Sequence, residues 1–128
     1  MPSYRCNCNN SINFIDNLVF MSTEENIIER LSNLLLERRA SSEDSSYTAQ
    51  LYKKGIAEIL SKIEEESKEL IEAGELRPTA KKEITHEAAD LWYHTMVLLA
   101  FNGIDPMDIL KELERREGVS GLEEKSKR

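Results

Sequence analysis

The sequence predicts an all-α protein, an antiparallel helical bundle of about four helices that assembles as a dimer. Three observations predict the fold. Apolar residues recur at spacings of three and four, and no segment alternates with period two. β-branched residues are sparse. The glycines and prolines fall between the periodic stretches, where helices end and turns begin.

The first helix is expected from Ser22, where Ser22-x-x-Glu25 forms a capping box, to about Arg39. Its apolar positions are Ile27, Ile28, Leu31, Leu34 and Leu35. The polar loop ASSEDSS follows, and a second helix begins near Tyr47. Its stripe is Ile56, Ile59, Leu60, Ile63, Leu70 and Ile71, with Gly55 marking a break or a close approach and Gly74 near the end. Pro78 and Thr79 supply the turn and the next N-cap. The third helix carries Ile84, Ala88, Leu91, Trp92, Thr95, Leu98 and Leu99 and closes at Gly103. Trp92 and Tyr93 read as packing residues. Asp105 caps a fourth helix with Pro106 at its first position, apolar at Met107, Leu110 and Leu113 and ended by Gly118. The tail GLEEKSKR is polar. The run from Met96 to Phe101 makes the third helix apolar over a wide arc, so it needs partners on several sides; that predicts the homodimer.

The 128 residues are one domain's worth of chain, long enough to bury a core without disulfides or a structural metal. Residues 22–128 are read as that domain. Residues 1–21 are rich in Asn, nearly uncharged and patchily apolar; they read as a poorly ordered extension, or as an upstream translation start with Met21 as the older first residue. Cys6 and Cys8 both lie there, too few to staple the fold and without a nearby His to complete a metal site. No apolar run is long enough to span a membrane. The net charge of −7 argues against nucleic acid and anionic lipid as partners, and a cytoplasmic protein is expected.

That charge is concentrated. Between Glu64 and Asp90 stand nine acidic and four basic residues. Two pairs matter most, Glu66-x-x-Glu69 on the second helix and Glu87-x-x-Asp90 on the third. Each i, i+3 pair shares a helix face. The two pairs are symmetric about Pro78, so an antiparallel hairpin turning there sets Glu66 level with Asp90 and Glu69 level with Glu87. Glu66 continues the series Ile59, Ile63, and Glu87 belongs to the series Ile84, Leu91, Leu98; both therefore point toward the seam. One such pair is ordinarily a solvated face matched by lysines, here Lys62, Lys68, Lys81 and Lys82. Two in register across one turn are harder to explain that way. Converging carboxylates repel and are costly to bury. A hard divalent cation, Mg²⁺ or Mn²⁺, relieves the cost, and Mg²⁺ is bound through a few carboxylates plus substrate phosphates. Phosphate-ester or phosphoanhydride chemistry follows.

Other residues offer weaker signals. Lys62, one turn before Glu66, can meet a phosphate or simply pair with Glu66. His94 lies one turn past Asp90, where a core hydrogen-bonding role is the commoner one. Ser45, Ser46, Tyr47 and Thr48 can cap the second helix or touch a ligand. Arg115 and Arg116 sit at a helix C-terminus that already favours cations.

The blocks SSYTAQLYKKG, KIEEESKE, EAADLWYH and ELERREGVSGLEEKSKR, in this order and spacing, resemble the phosphoribosyl-ATP pyrophosphohydrolases of histidine biosynthesis, relatives of the MazG-type nucleotide pyrophosphohydrolases. The resemblance runs from about Ser22 to Arg128. It implies an all-α dimer, and it implies that Glu66, Glu69, Glu87 and Asp90 hold Mg²⁺. It also implies that Glu65 fills an additional acidic position, as general base or as a group orienting the site, and that Lys62 and His94 match family positions. Ser46, Tyr47, Arg115 and Arg116 become candidates for the ribosyl and base ends of the substrate. Glu64 departs from the family, which often has glycine there. The implied reaction is hydrolysis of 1-(5-phosphoribosyl)-ATP to 1-(5-phosphoribosyl)-AMP and pyrophosphate, by an enzyme not fused to the zinc-dependent cyclohydrolase with which this activity is often joined. Two rivals are another all-α nucleoside triphosphate pyrophosphohydrolase using the same site, and a non-catalytic helical dimer acting as a scaffold.

Overall fold

The structure, a computed structural model, describes residues 26–40, 46–76, 80–119 and 121–128. Among the described residues there are six helices and no strand. They are α1 (Ile27–Ala40), α2 (Tyr47–Lys54), α3 (Ile56–Glu75), α4 (Lys81–Phe101), α5 (Asp108–Arg116) and α6 (Gly121–Ser126). The all-α expectation holds, and the count differs for two physical reasons. Gly55 divides the expected second helix: at φ 91°, ψ −172° it takes a conformation open essentially to glycine alone, ending α2 and starting α3 in one residue. The polar tail, assigned to no helix from the sequence, forms the short α6.

Several described termini have a local cause. Asn26 Oδ1 accepts from the Glu29 amide at 3.0 Å, so Asn26 caps α1. The box at Ser22 and Glu25, residues 1–21, Ser45 and the turn at Pro78 and Thr79 lie outside the described residues. Gly103, at φ 73°, ends α4: its amide bonds the Ala100 carbonyl at 3.0 Å and the Ile104 amide reaches back to Leu99 at 2.9 Å. Asp105 Oδ1 accepts from the Met107 amide at 2.9 Å, so it caps the turn before α5, whereas the helix itself follows Met107 without a side-chain cap. The turn after it is 3₁₀-like, with Asp108 bonding Asp105 and Ile109 bonding Pro106, so α5 proper starts two residues beyond Pro106.

The α3–α4 hairpin is the main packing unit, with α1 laid against α4 and α2, and α2 against α3. The core is Leu35, Leu51, Ile59, Met96, Val97 and Ala100, with Ile28, Leu31, Ile63, Tyr93 and Phe101 against it. Tyr52 ties α2 to α1 through a 2.8 Å hydrogen bond to the Leu35 carbonyl, and its ring stacks near Phe101. The buried face of α4 thus runs through Tyr93, Met96, Val97 and Ala100, rotated from the expected stripe. Trp92, expected to pack, is 63% exposed. Ile56, Leu60 and Ile71 of the α3 stripe also face outward. Beside Trp92 an apolar cleft of about 360 Å³ opens between α1, α4 and α5, lined by Ile28, Leu91, Met96, Ile109 and Leu113 among others.

Candidate active site

The acidic seam forms where the register of the hairpin places it. Glu66, Glu69 and Glu87 each bring one carboxylate oxygen within 4.8 Å of the others. Glu66 is buried because it follows Ile59 and Ile63 down the inner face of α3. Glu69 is exposed at the rim, and Glu87 is half-buried across from it on α4. Glu87 Oε2 is enclosed and has no hydrogen-bond donor.

The electrostatics match that crowding. Burial raises the Glu66 carboxyl above its ordinary value and the Glu69 carboxylate adds to the rise, against the opposing pull of His94 and Lys62. Burial also raises Glu87, again with Glu69 as the next cause. A carboxylate oxygen buried without a donor is costly to leave as it is. An oxygen-only, anionic donor set with one oxygen lacking any partner fits a hard divalent cation.

Asp90, the fourth expected ligand, stands apart from the trio. Its Oδ2 lies 3.3 Å from His86 Nε2, one turn back on α4. Aspartate is one methylene shorter than glutamate, and its carboxylate stays over its own helix. Asp90 contributes to the site through its backbone, where its carbonyl oxygen lies 2.9 Å from His94 Nδ1.

Lys62 and Glu65 guard the approach. Lys62 Nζ donates to Glu65 Oε2 at 2.6 Å and lies 3.7 Å from Glu66 Oε1. The bond to Glu65 is the main reason that the ammonium is held above its ordinary value. The lysine is mostly buried, whereas Glu65 is half-exposed and outside the carboxylate trio. Glu64, by contrast, faces solvent and pairs with Lys68.

The start of α2 is fastened to α4 beside the trio. Ser46 spends its hydroxyl on its own helix, accepting from the Ala49 amide at 3.1 Å, so capping is the role the structure shows for it. Tyr47 Oη lies 3.0 Å from His94 Nε2. Thr48 and Tyr93 hydroxyls hydrogen-bond alongside. His94 is buried, with Nδ1 3.7 Å from Glu66 Oε1. Tyr93 and Thr48 were not expected in this network: 45 residues separate them, and no local pattern signals the pairing. Arg115 and Arg116 are not drawn into this cluster. Both guanidinium groups bond Glu112, at 2.7–2.8 Å, and pull its carboxyl down to about 2.

Comparison with known proteins gives the family. A family model described as phosphoribosyl-ATP pyrophosphohydrolase matches residues 28–117, a span that contains both the trio and the Arg115–Arg116 pair. The chain is 44% identical over 108 residues to a phosphoribosyl-ATP pyrophosphatase of Geobacter metallireducens, covering 84% of this chain and 97% of that one. It is 47% identical over 102 residues to the phosphoribosyl-ATP pyrophosphatase of Methylococcus capsulatus, covering 80% and 95%. It is also 48% identical over 102 residues to the histidine biosynthesis bifunctional protein HisIE of Wolinella succinogenes, covering 80% of this chain and 44% of that one. With the family match spanning the acidic hairpin and this identity running over nearly the whole of two relatives, the chain belongs to the phosphoribosyl-ATP pyrophosphohydrolase family.

Proposed function

We propose that this protein hydrolyses 1-(5-phosphoribosyl)-ATP to 1-(5-phosphoribosyl)-AMP and pyrophosphate, the second step of histidine biosynthesis, in the cytoplasm and with Mg²⁺ as cofactor. The observation that carries the reading is the carboxylate trio with its donorless Glu87 oxygen, in a chain related to phosphoribosyl-ATP pyrophosphatases. Glu66, Glu69 and Glu87 would hold Mg²⁺, or Mn²⁺ in its place. Asp90 joins them when its side chain turns from His86. When bound, the cation neutralises charge on the triphosphate oxygens and acidifies a water molecule.

The remaining steps belong to the chain's own groups. Lys62 is a mostly buried cation beside the trio, placed to donate to a phosphate oxygen. A phosphate that takes Lys62 competes with Glu65 for it. Glu65 is then released at the mouth of the site as the acceptor for the proton of the attacking water. Arg115 and Arg116 share Glu112, and a substrate phosphate that displaced Glu112 would meet both guanidinium groups. The protein is a homodimer in this reading: Trp92 at 63% exposed and Leu113 at 57% border an apolar cleft that a second copy would cover.

A substrate panel with pyrophosphate detection tests the function. Phosphoribosyl-ATP should be cleaved far faster than ATP or other nucleoside triphosphates, and Glu69→Ala and Asp90→Ala should abolish turnover while keeping the helical circular dichroism. Preference for a simple nucleoside triphosphate would favour the broader pyrophosphohydrolase reading. Near-normal turnover in either variant would remove the metal assignment.

A further inference from the structure

The hydrogen bonds at His94 determine where its proton sits. Nδ1 lies 2.9 Å from the Asp90 carbonyl oxygen, and a carbonyl can only accept. Nδ1 therefore carries the hydrogen. In the neutral ring Nε2 is then a bare acceptor, and the Tyr47 hydroxyl, 3.0 Å away, is the donor that occupies it. Glu66 Oε1 lies 3.7 Å from the same Nδ1. With this tautomer an N–H edge faces the buried carboxylate; with the other a nitrogen lone pair would face two oxygens at once. Half of Tyr47's surface is exposed, and its ring stands edge-on to His94. Its hydroxyl acts at a distance through one imidazole.

We propose that Tyr47 is a positioning residue: its hydroxyl, bonded to Nε2, holds the Nδ1–H ring of His94 in place, and His94 in turn holds the Glu66 carboxylate in the orientation that receives the cation. The inference rests on the metal-site reading above. Groups that orient a ligand from behind affect metal affinity on the order of tenfold.

The test uses the full chain and two readouts that need no turnover. Nitrogen-15 NMR of the imidazole reports the tautomer, and the EPR signal of free Mn²⁺ reports cation binding. In wild type the hydrogen should lie on Nδ1. In Tyr47→Phe the hydrogen should stay on Nδ1 while the Nε2 resonance shifts with the loss of its donor, Mn²⁺ affinity should fall about tenfold, and the circular dichroism should stay helical. Tyr93→Phe, which removes the neighbouring bond to Thr48 but leaves His94 alone, should bind Mn²⁺ as wild type does. His94→Asn keeps an amide donor near the Nδ1 position, and in that background Tyr47→Phe should have no further effect. An Nε2–H tautomer in wild type overturns the inference. So does unchanged Mn²⁺ affinity in Tyr47→Phe, or an undiminished effect of Tyr47→Phe in the His94→Asn background. Wild type that binds no Mn²⁺ removes the metal reading and this inference with it. Normal Mn²⁺ binding without pyrophosphohydrolase activity removes the proposed function alone.

Discussion

Replacing Glu66 by glutamine should stabilise the metal-free protein and remove its response to Mg²⁺. Two unit charges 4.8 Å apart, the outer limit of the separation in the trio, repel by about 3.5 kcal/mol at an effective dielectric of 20. Lys62, 3.7 Å from Glu66 Oε1, offsets a comparable amount. Because Glu69 is exposed, solvent screens much of its share. Burial then decides the sign, and the raised Glu66 carboxyl shows that burial and Glu69 outweigh His94 and Lys62. The ionised group is therefore a net cost to the metal-free fold, and Glu66→Gln should melt above wild type in chelator.

The pH dependence has a definite sign. The folded protein keeps a proton on Glu66 that the unfolded chain releases from 4.5 upward. Stability therefore falls as pH rises from 4.5 through the raised folded value, and it stays low above it. A glutamine side chain cannot titrate, so Glu66→Gln should lack that share of the fall. Mg²⁺ at 100 times its Kd should stabilise wild type by about 2.7 kcal/mol, and Glu66→Gln by far less. Thermal melts followed by circular dichroism at pH 5 and 8, with chelator or with Mg²⁺, measure all of this. A variant that melts below wild type in chelator at pH 8 would show that the Lys62 and His94 contacts dominate, and would overturn the sign assigned to burial.

Three other outcomes follow from single contacts. Gly55→Ala meets no atom within 4 Å but forces alanine to φ 91°, so it should cost about 1–3 kcal/mol through backbone strain alone, read as a lower melting temperature. Tyr52→Phe removes the donor to the Leu35 carbonyl and should cost about 0.5–1.5 kcal/mol while the Mg²⁺ response in the melts stays intact. Lys62→Gln removes a mostly buried cation from the approach and should raise KM for phosphoribosyl-ATP about 10–100-fold, the loss of one charged hydrogen bond, in steady-state assays.

What the residues reveal before folding depends on distance along the chain. Period and register placed Glu66 in the seam, because a helix returns the same face every three or four residues and Ile59 and Ile63 precede it on that face. The same arithmetic set Glu69 opposite Glu87, and the structure brings them together. It said nothing of side-chain reach, and Asp90 turns to His86 instead. The wide apolar arc of α4 hid which side is the inner one. Several faces fit the periodicity, so the buried line through Tyr93 and Val97 had to come from packing against α1 and α3. The link from Tyr47 to His94 spans 47 residues, beyond the reach of any local pattern. Gly55 was legible as a possible break, but only its backbone angles distinguish a helix end from a close approach.

If the acidic hairpin serves cleavage of the phosphoribosyl-ATP triphosphate between its α and β phosphates, the products carry the proof. Product stoichiometry from purified phosphoribosyl-ATP, with and without Mg²⁺, is the decisive measurement. One pyrophosphate should form for each phosphoribosyl-AMP, and only when Mg²⁺ is present. Release of orthophosphate, or no product at saturating Mg²⁺, would rule this chemistry out.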